Sequence, residues 1–255
     1  MATPLPILGL AIVCNKCYNI LAILIKHQIF HSSQEGARRI MRKTKVSHNV
    51  ILRLPRYLRY LEELRSRDAV RISSGELGRL MGVTASQIRQ DLACFGEFGQ
   101  QGYGYNVEML ISEISEILGT NQERQAVVIG AGNLGRAIIG KFPFEQYGIC
   151  LSGAYDLAEG IIGTQIADLT VRHIDQLEQD IQRTPPDVAV LTMSSASANA
   201  IAGRLIDAGV RGIWNFTNVD LTLSSPNVVV ENLHFSDSLL TLSYYMTHRS
   251  PESNN

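Results

Sequence analysis

Cysteine is scarce in this chain of 255 residues, which carries only Cys14, Cys17, Cys94 and Cys150. So few, so scattered, they exclude a disulfide framework and point to a reducing cytoplasm. Cys94 reads as a small buried or half-buried residue rather than a redox-reactive thiol. Also missing is an uninterrupted apolar run of about 20 residues, the length a membrane span requires. The nearest approach, PLPILGLAIVCNKCYNILAILIK, is broken by Asn15, Lys16 and Asn19 and has no basic segment ahead of it. A lysine in mid-span alone costs about 2.5–3.5 kcal/mol on insertion scales. No signal peptide or membrane span is expected.

A metal site is weakly supported. Cys14, Cys17, His27 and His31 spell C-x2-C-x9-H-x3-H, but a zinc finger separates its pairs by about 12 residues, and the residues between them here are aliphatic. Residues 1–45 read instead as a leader of unknown order, with Met41 an alternative start.

Net charge is nearly absent, −1 at pH 7, but it is unevenly spread. Residues 42–105 carry 11 Lys/Arg against 6 Asp/Glu, whereas residues 106–255 carry 8 against 17. A basic front on an acidic back suits contact between the front and a polyanion.

That basic front has helical punctuation. In LPRYLRYLEELRSR, Leu54, Leu58, Leu61 and Leu64 fall at helical spacing, with Pro55 placed near the helix start. Ser73 or Ser74 can cap a short helix bearing Leu77 and Leu80, and Gly82 suits the left-handed position that ends it. Thr84 and Gln87 have the spacing of a capping box opening the next helix. Helix, glycine turn and capped helix make a helix-turn-helix. Ile88, Leu92 and Phe95 share the inward face of the second helix, leaving Ser86, Gln90 and Ala93 opposite, flanked by Arg89 and Cys94. Such a face suits a major groove, where Arg pairs with guanine and Gln with adenine. A solvated helix of an all-α domain would share the pattern. The stretch GEFGQQGYGYNV that follows, with four glycines from Gly96 to Gly104, suits a tight β-ribbon, the wing that favours DNA binding.

Further on, AVVIGAGNLGRAI sets Gly130, Gly132 and Gly135 in G-x-G-x-x-G spacing between an apolar strand and a helix over Asn133–Lys141. Gly130 permits the turn, Gly132 admits a pyrophosphate to the backbone, and Gly135 lets helix and strand pack closely. A second strand, ICLSGAYD, ends at Asp156, 21 residues beyond Gly135. A carboxylate there bonds ribose hydroxyls, and with no arginine beside it the cofactor is NAD rather than NADP. HIDQLEQDI reads as helix, DVAVLT as strand, SANAIAGRLIDAG as helix, and RGIWNF and NVVVE as strands. Thr192–Ser195, at a strand tail, line the nicotinamide side, although Ser194 and Ser195 serve equally well as turn and cap residues. The last helix, in HFSDSLLTLSYYMTH, is apolar around most of its circumference and must be buried, for which a partner subunit is a natural place.

A dehydrogenase needs a substrate domain and an acid/base near the nicotinamide. Neither His173 nor His234 belongs to a proton-relay constellation, and the cofactor fold consumes most of the chain after residue 126. Two readings stand: an NADH-responsive DNA-binding protein, and a small NAD-dependent oxidoreductase.

RLPRYLRYLEEL, SQIRQDLACFGEFG, GYGYNV, VVIGAGNLGRA, HIDQLE and VVVENL, in this order between about Val46 and His248, resemble the redox-sensing transcriptional repressors of the Rex family. The resemblance implies an α/β chain: an N-terminal winged helix-turn-helix domain, a Rossmann-type dinucleotide-binding domain and a domain-swapped C-terminal helix. It implies a non-enzymatic homodimer on an inverted-repeat operator that leaves DNA when NADH binds. The expected division is leader 1–45, winged helix 46–120, Rossmann domain 121–232 and dimerisation helix 233–249. Candidate cofactor residues are Gly130, Ala131, Gly132, Asn133, Leu134, Gly135, Asp156 and Thr192. Candidate DNA residues are Arg59, Ser86, Gln87, Arg89, Gln90, Gly102 and Tyr103. The chain departs from the family at Gln90, Ala93 and Cys94, where Lys, Ser and Tyr are usual, and at Met193 and Ser194 of the family's T-V-P. It departs again at Lys141 and His234, which replace the Tyr and Asp that link Arg59 to the cofactor domain in the family.

Overall fold

The computed structural model describes residues 46–248, apart from residues 97–98, 101–102, 184 and 222–225. The leader, its Cys/His pattern and Gly102 lie outside the described residues. The chain divides into two compact units between Ile111 and Ser112.

In the first unit, α1 (His48–Arg65) is capped by Ser47, whose hydroxyl accepts from the Val50 amide, and buries Leu54, Tyr57, Leu58 and Leu61. It begins almost two turns before the sequence reading placed it, so Pro55 lies inside the helix rather than near its start. Proline there forgoes the bond to the Ile51 carbonyl. Both residues are exposed, so the proline ring stands on the solvent side of the helix. Ser73 caps α2 (Ser74–Met81), and Gly82 ends it at φ +68°. Thr84 caps α3 (Ala85–Ala93) by accepting from the Gln87 amide at 3.1 Å. Ile88 and Leu92 are buried as expected, while Phe95, beyond the helix end, is half-buried and Cys94 is exposed. The expectation of a buried or half-buried Cys94 fails because the helix ends there, on its outer face. β1 (Arg71–Ile72), β2 (Gly99–Gln100) and β3 (Gly104–Asn106) form an antiparallel sheet in the order β1-β3-β2, the wing. α4 (Val107–Leu118), which the sequence reading did not assign, follows and contains the division between the units.

The second unit holds β4 (Arg124–Ile129), α5 (Asn133–Lys141), β5 (Ile149–Asp156), β6 (Gln165–Ile166), β7 (Leu169–His173), α6 (Leu177–Arg183), β8 (Val188–Leu191), α7 (Ser195–Asp207), β9 (Gly212–Asn215), β10 (Val229–Asn232) and α8 (Phe235–His248). The sheet runs β10-β9-β8-β4-β5-β7-β6, parallel except for the antiparallel edge strand β6. Without that edge the order is the 3-2-1-4-5-6 of a doubly wound dinucleotide fold, with its switch point between β4 and β8. Successive side chains of β4 serve opposite faces. Val127 and Ile129 join the cluster of Ile174, Leu205 and Ile213, and Val128 joins Ile138, Phe144 and Val171.

The HIDQLEQDI segment is not one helix. His173 ends β7, a short 3-10 turn spans Ile174–Gln176, and α6 starts at Leu177. Pairing of β7 with β5 and β6 outcompetes local helix propensity at its start.

Candidate cofactor cradle and nucleic-acid face

The glycine turn is built by three different constraints. Gly130 sits at φ +97°, and a Cβ there would come within 2.8 Å of the Met193 amide nitrogen. A Cβ at Gly135 would collide with the Gly130 carbonyl. Gly132 meets neither limit: its backbone is extended at φ −67° and ψ −161°, and nothing lies within 4 Å of its added Cβ. Neither conformation nor packing requires glycine at that position.

Gly132 is the N-cap of α5 and caps it with no side chain, leaving first-turn amides for a ligand. Ser194, the N-cap of α7, also makes no side-chain capping bond. Gly132 and Ser194 both line a cavity of about 420 Å³ at the carboxyl ends of β4, β5 and β8. Two helix starts at one cavity wall favour an anion there. Asp156 completes the wall at the tip of β5. Its carboxylate accepts from the Ala131 amide at 2.6 Å and the Ala158 amide at 2.8 Å, which aims it across the glycine turn.

The other sequence candidates divide by what they offer. The Thr192 hydroxyl donates to the Gly130 carbonyl at 2.6 Å, so it holds the turn from beneath as well as lining the cavity. The side chain of Ala131 is buried and that of Leu134 packs into the core, leaving both with backbone groups to contribute. Asn133 is exposed. Sequence reasoning missed Leu157, Ile161 and Ile174 on the apolar side of the cavity. The turn after Asp156 was the available signal for the first of these, because a chain leaving a strand tip borders the switch point.

On the first unit, Ser86, Arg89, Gln90, Ala93 and Cys94 are exposed on α3, opposite Ile88 and Leu92. Arg89 donates to the Ser74 hydroxyl at 3.1 Å. Gln87 differs from them. It is half-buried, and its amide donates to Asp91 at 2.7 Å instead of reaching back to complete a capping box with Thr84. Asp91 is buried at 1% exposure, with Arg53 at 2.6 and 2.8 Å and the Tyr57 hydroxyl at 2.9 Å. Burial opposes its ionisation, but the bonds from Arg53, Gln87 and Tyr57 outweigh that and hold its carboxyl below the ordinary value. Tyr103 stands exposed beside the wing, with Arg71 near its ring and bonded to its carbonyl. Arg59 is exposed on α1, its guanidinium 5.6 Å from the centre of the Tyr60 ring.

Known proteins share this arrangement. A family model described as a putative DNA-binding protein N-terminus matches residues 45–93, and one described as a CoA binding domain matches residues 121–219. The redox-sensing transcriptional repressor Rex of Thermoanaerobacter pseudethanolicus is 50% identical over 203 residues, 80% of this chain and 90% of the relative. This chain belongs to the Rex family. The Rex of Clostridium acetobutylicum is 46% identical over 202 residues, 79% of this chain and 94% of the relative. A crystal structure of RSP with β-NAD+ and operator DNA aligns at TM-score 0.76 and 48% identity, covering 81% of this chain and 95% of the other. RSP with β-NADH aligns at 0.75 and 45%, covering 81% and 97%. In this chain the match to the DNA-binding model contains α1, α2 and α3, and the second match contains the whole glycine turn. The relatives are named as repressors, which sets the oxidoreductase reading aside.

Proposed function

We propose that the chain is a transcriptional repressor that holds operator DNA through α3 and the wing and releases it when NADH occupies the cavity at the glycine turn. The observation that carries the cofactor half is Gly132, a glycine the free protein does not need, placed at an uncapped helix start. A pyrophosphate approaching that backbone is what excludes a side chain there. Asp156 takes the adenosine ribose and repels a 2′-phosphate. The apolar wall of Ile161, Ile174 and Met193 favours a neutral reduced nicotinamide, because the oxidised ring carries a charge that is costly to bury.

The reading includes a second copy of the chain. α8 has fourteen residues and none is buried, with Phe235, Leu239, Leu242 and Met246 among the exposed ones. A homodimer formed through a swapped α8 covers that surface and presents two recognition helices to an inverted repeat. The domains we assign are 46–120, 121–232 and 233–249, and the compartment is the cytoplasm. Among the described residues no helix is long and apolar enough to cross a membrane. The test is gel-shift binding to DNA upstream of the chain's own gene, with NADH, NAD+ or neither. NADH should release the DNA at concentrations where NAD+ does not; DNA binding indifferent to both removes the sensing role.

A further inference from the structure

A carboxylate in the centre of a recognition helix, shut away from the surface that meets DNA, needs a physical reason. Asp91 faces α1, where the Arg53 guanidinium holds both its oxygens and the Tyr57 hydroxyl adds a third bond. Gln87, one turn earlier on α3, supplies the fourth. Burying this charge contributes little to stability, since apolar residues of similar volume often replace a buried ion pair without loss. What the pair supplies over apolar contact is direction. A guanidinium fork on a carboxylate accepts a narrow range of angles, whereas the neighbouring contacts of Ile88 and Leu92 tolerate rotation and sliding. A rotation of α3 about its axis would break the three bonds from α1 together, while Gln87, on α3 itself, holds the carboxylate turned toward them.

We propose that the Arg53–Asp91–Tyr57–Gln87 cluster sets the angle at which α3 meets its DNA sequence, making these four positioning residues for sequence recognition, with Gln87 acting through Asp91 rather than on a base. Reading adenine takes both the amide nitrogen and the amide oxygen of a glutamine presented outward. The Gln87 amide nitrogen is turned inward to Asp91, which leaves Ser86, Arg89 and Gln90 as the readers on α3. The proposal rests on α3 being the recognition helix.

The experiment uses the full chain and two labelled duplexes of equal length, one selected by the chain from a random-sequence pool and one scrambled. Fluorescence anisotropy is measured for Asp91→Asn, Gln87→Ala, the double variant, Arg89→Ala and Gln90→Ala, with NADH titration as a check on the second unit. Asp91→Asn should weaken the selected duplex by about tenfold or more and the scrambled one by less than about threefold, because phosphate contacts position without specifying. Its salt dependence on the selected duplex should be unchanged. The double variant should be no worse than Asp91→Asn alone, as expected of two groups acting through one bond. Gln87→Ala keeps the buried ion pair and so tests the idea even if Asp91→Asn unfolds the first unit: its loss should spread over the whole half-site. A Gln87→Ala effect confined to one base pair, or fully additive with Asp91→Asn, overturns the proposal. So does an equal loss on both duplexes in a folded Asp91→Asn. If Arg89→Ala and Gln90→Ala change nothing, the recognition-helix reading falls and takes this proposal with it. If those two matter and Asp91→Asn does not, only the positioning role falls.

Discussion

Replacing Gly132 by alanine adds one methyl group where the folded chain has nothing within 4 Å. The backbone there suits any residue, so the folded protein gains no strain. Fewer conformations remain open to the unfolded chain, and that stabilises by about 0.4–1 kcal/mol. For a chain of this size the melting temperature should then rise by about 1–4 °C. The cofactor meets the opposite consequence. The methyl group stands at the mouth of the α5 amides and holds a pyrophosphate away from them. One lost hydrogen bond to a charged group is worth about 1.5–3 kcal/mol, which weakens binding about 10- to 150-fold. Two losses would put NADH out of measurable range. Gly135→Ala supplies the contrast: its methyl collides with the Gly130 carbonyl and would stand 2.7 Å from the Thr192 hydroxyl. Overpacking of that kind destabilises by about 1–3 kcal/mol. Calorimetric NADH titration and a thermal melt on both variants separate the two roles. Gly132→Ala should melt no lower than wild type, keep its operator affinity and ignore NADH. NADH affinity within about twofold of wild type would refute the assignment of Gly132 to the pyrophosphate, and a lowered melt would refute the claim that glycine is structurally unneeded there.

Arg89→Ala should weaken operator binding by about 1–3 kcal/mol if Arg89 pairs with a base edge; unchanged affinity in anisotropy removes Arg89 from the readers. NADPH should bind far more weakly than NADH, and Asp156→Ala should narrow that gap, measured by titration of both cofactors; NADPH equal to NADH in the wild type contradicts the role of Asp156. The Asp220 carboxylate, 2.8 Å from the His234 ring nitrogen, raises the His234 pKa, with Asp237 adding to it. The contact should therefore contribute fully below about pH 6.5 and fade as pH rises through the higher folded value. Proton NMR should find His234 titrating above that unfolded value, and a titration at or below it dissolves the link to Asp220. The family resemblance implies a Tyr and an Asp, linked to the Arg59 position, where this chain has Lys141 and His234. A lysine carries the same charge as that arginine and a histidine lacks a standing negative one, so coupling between NADH and DNA release should be weaker than in relatives that keep the pair. The combination of Lys141→Tyr and His234→Asp should strengthen the effect of NADH on operator affinity; an unchanged effect rejects the weakened link.

Much of this protein was legible along the chain because its signals are local. Ser73, Gly82 and Thr84 act within four residues of themselves, so capping chemistry alone placed α2 and α3. The apolar run Val127–Ile129 and the glycine spacing likewise belong to one strand and one turn, and α5 has the bounds expected of it. The start of α1 was misplaced because Pro55 is a helix-start signal by frequency, and an exposed proline inside a long helix costs little enough for packing to override it. The rest depends on partners far apart in sequence. Asp91 reads as one more polar residue of a helix until Arg53 and Tyr57, 38 and 34 residues away, close around it. Thr192 reads as a cavity residue until the fold brings the Gly130 carbonyl, 62 positions earlier, to its hydroxyl. β7 exists because β5 and β6 stand on either side of it. The motif already separates the roles of the three glycines, but the fold supplies their surroundings: Met193 against Gly130, the Gly130 carbonyl against Gly135, and nothing within 4 Å of a Cβ at Gly132. Backbone propensity and periodicity act over a turn or two and are written in order along the chain. Burial, pairing and steric room are set by residues that only folding brings together.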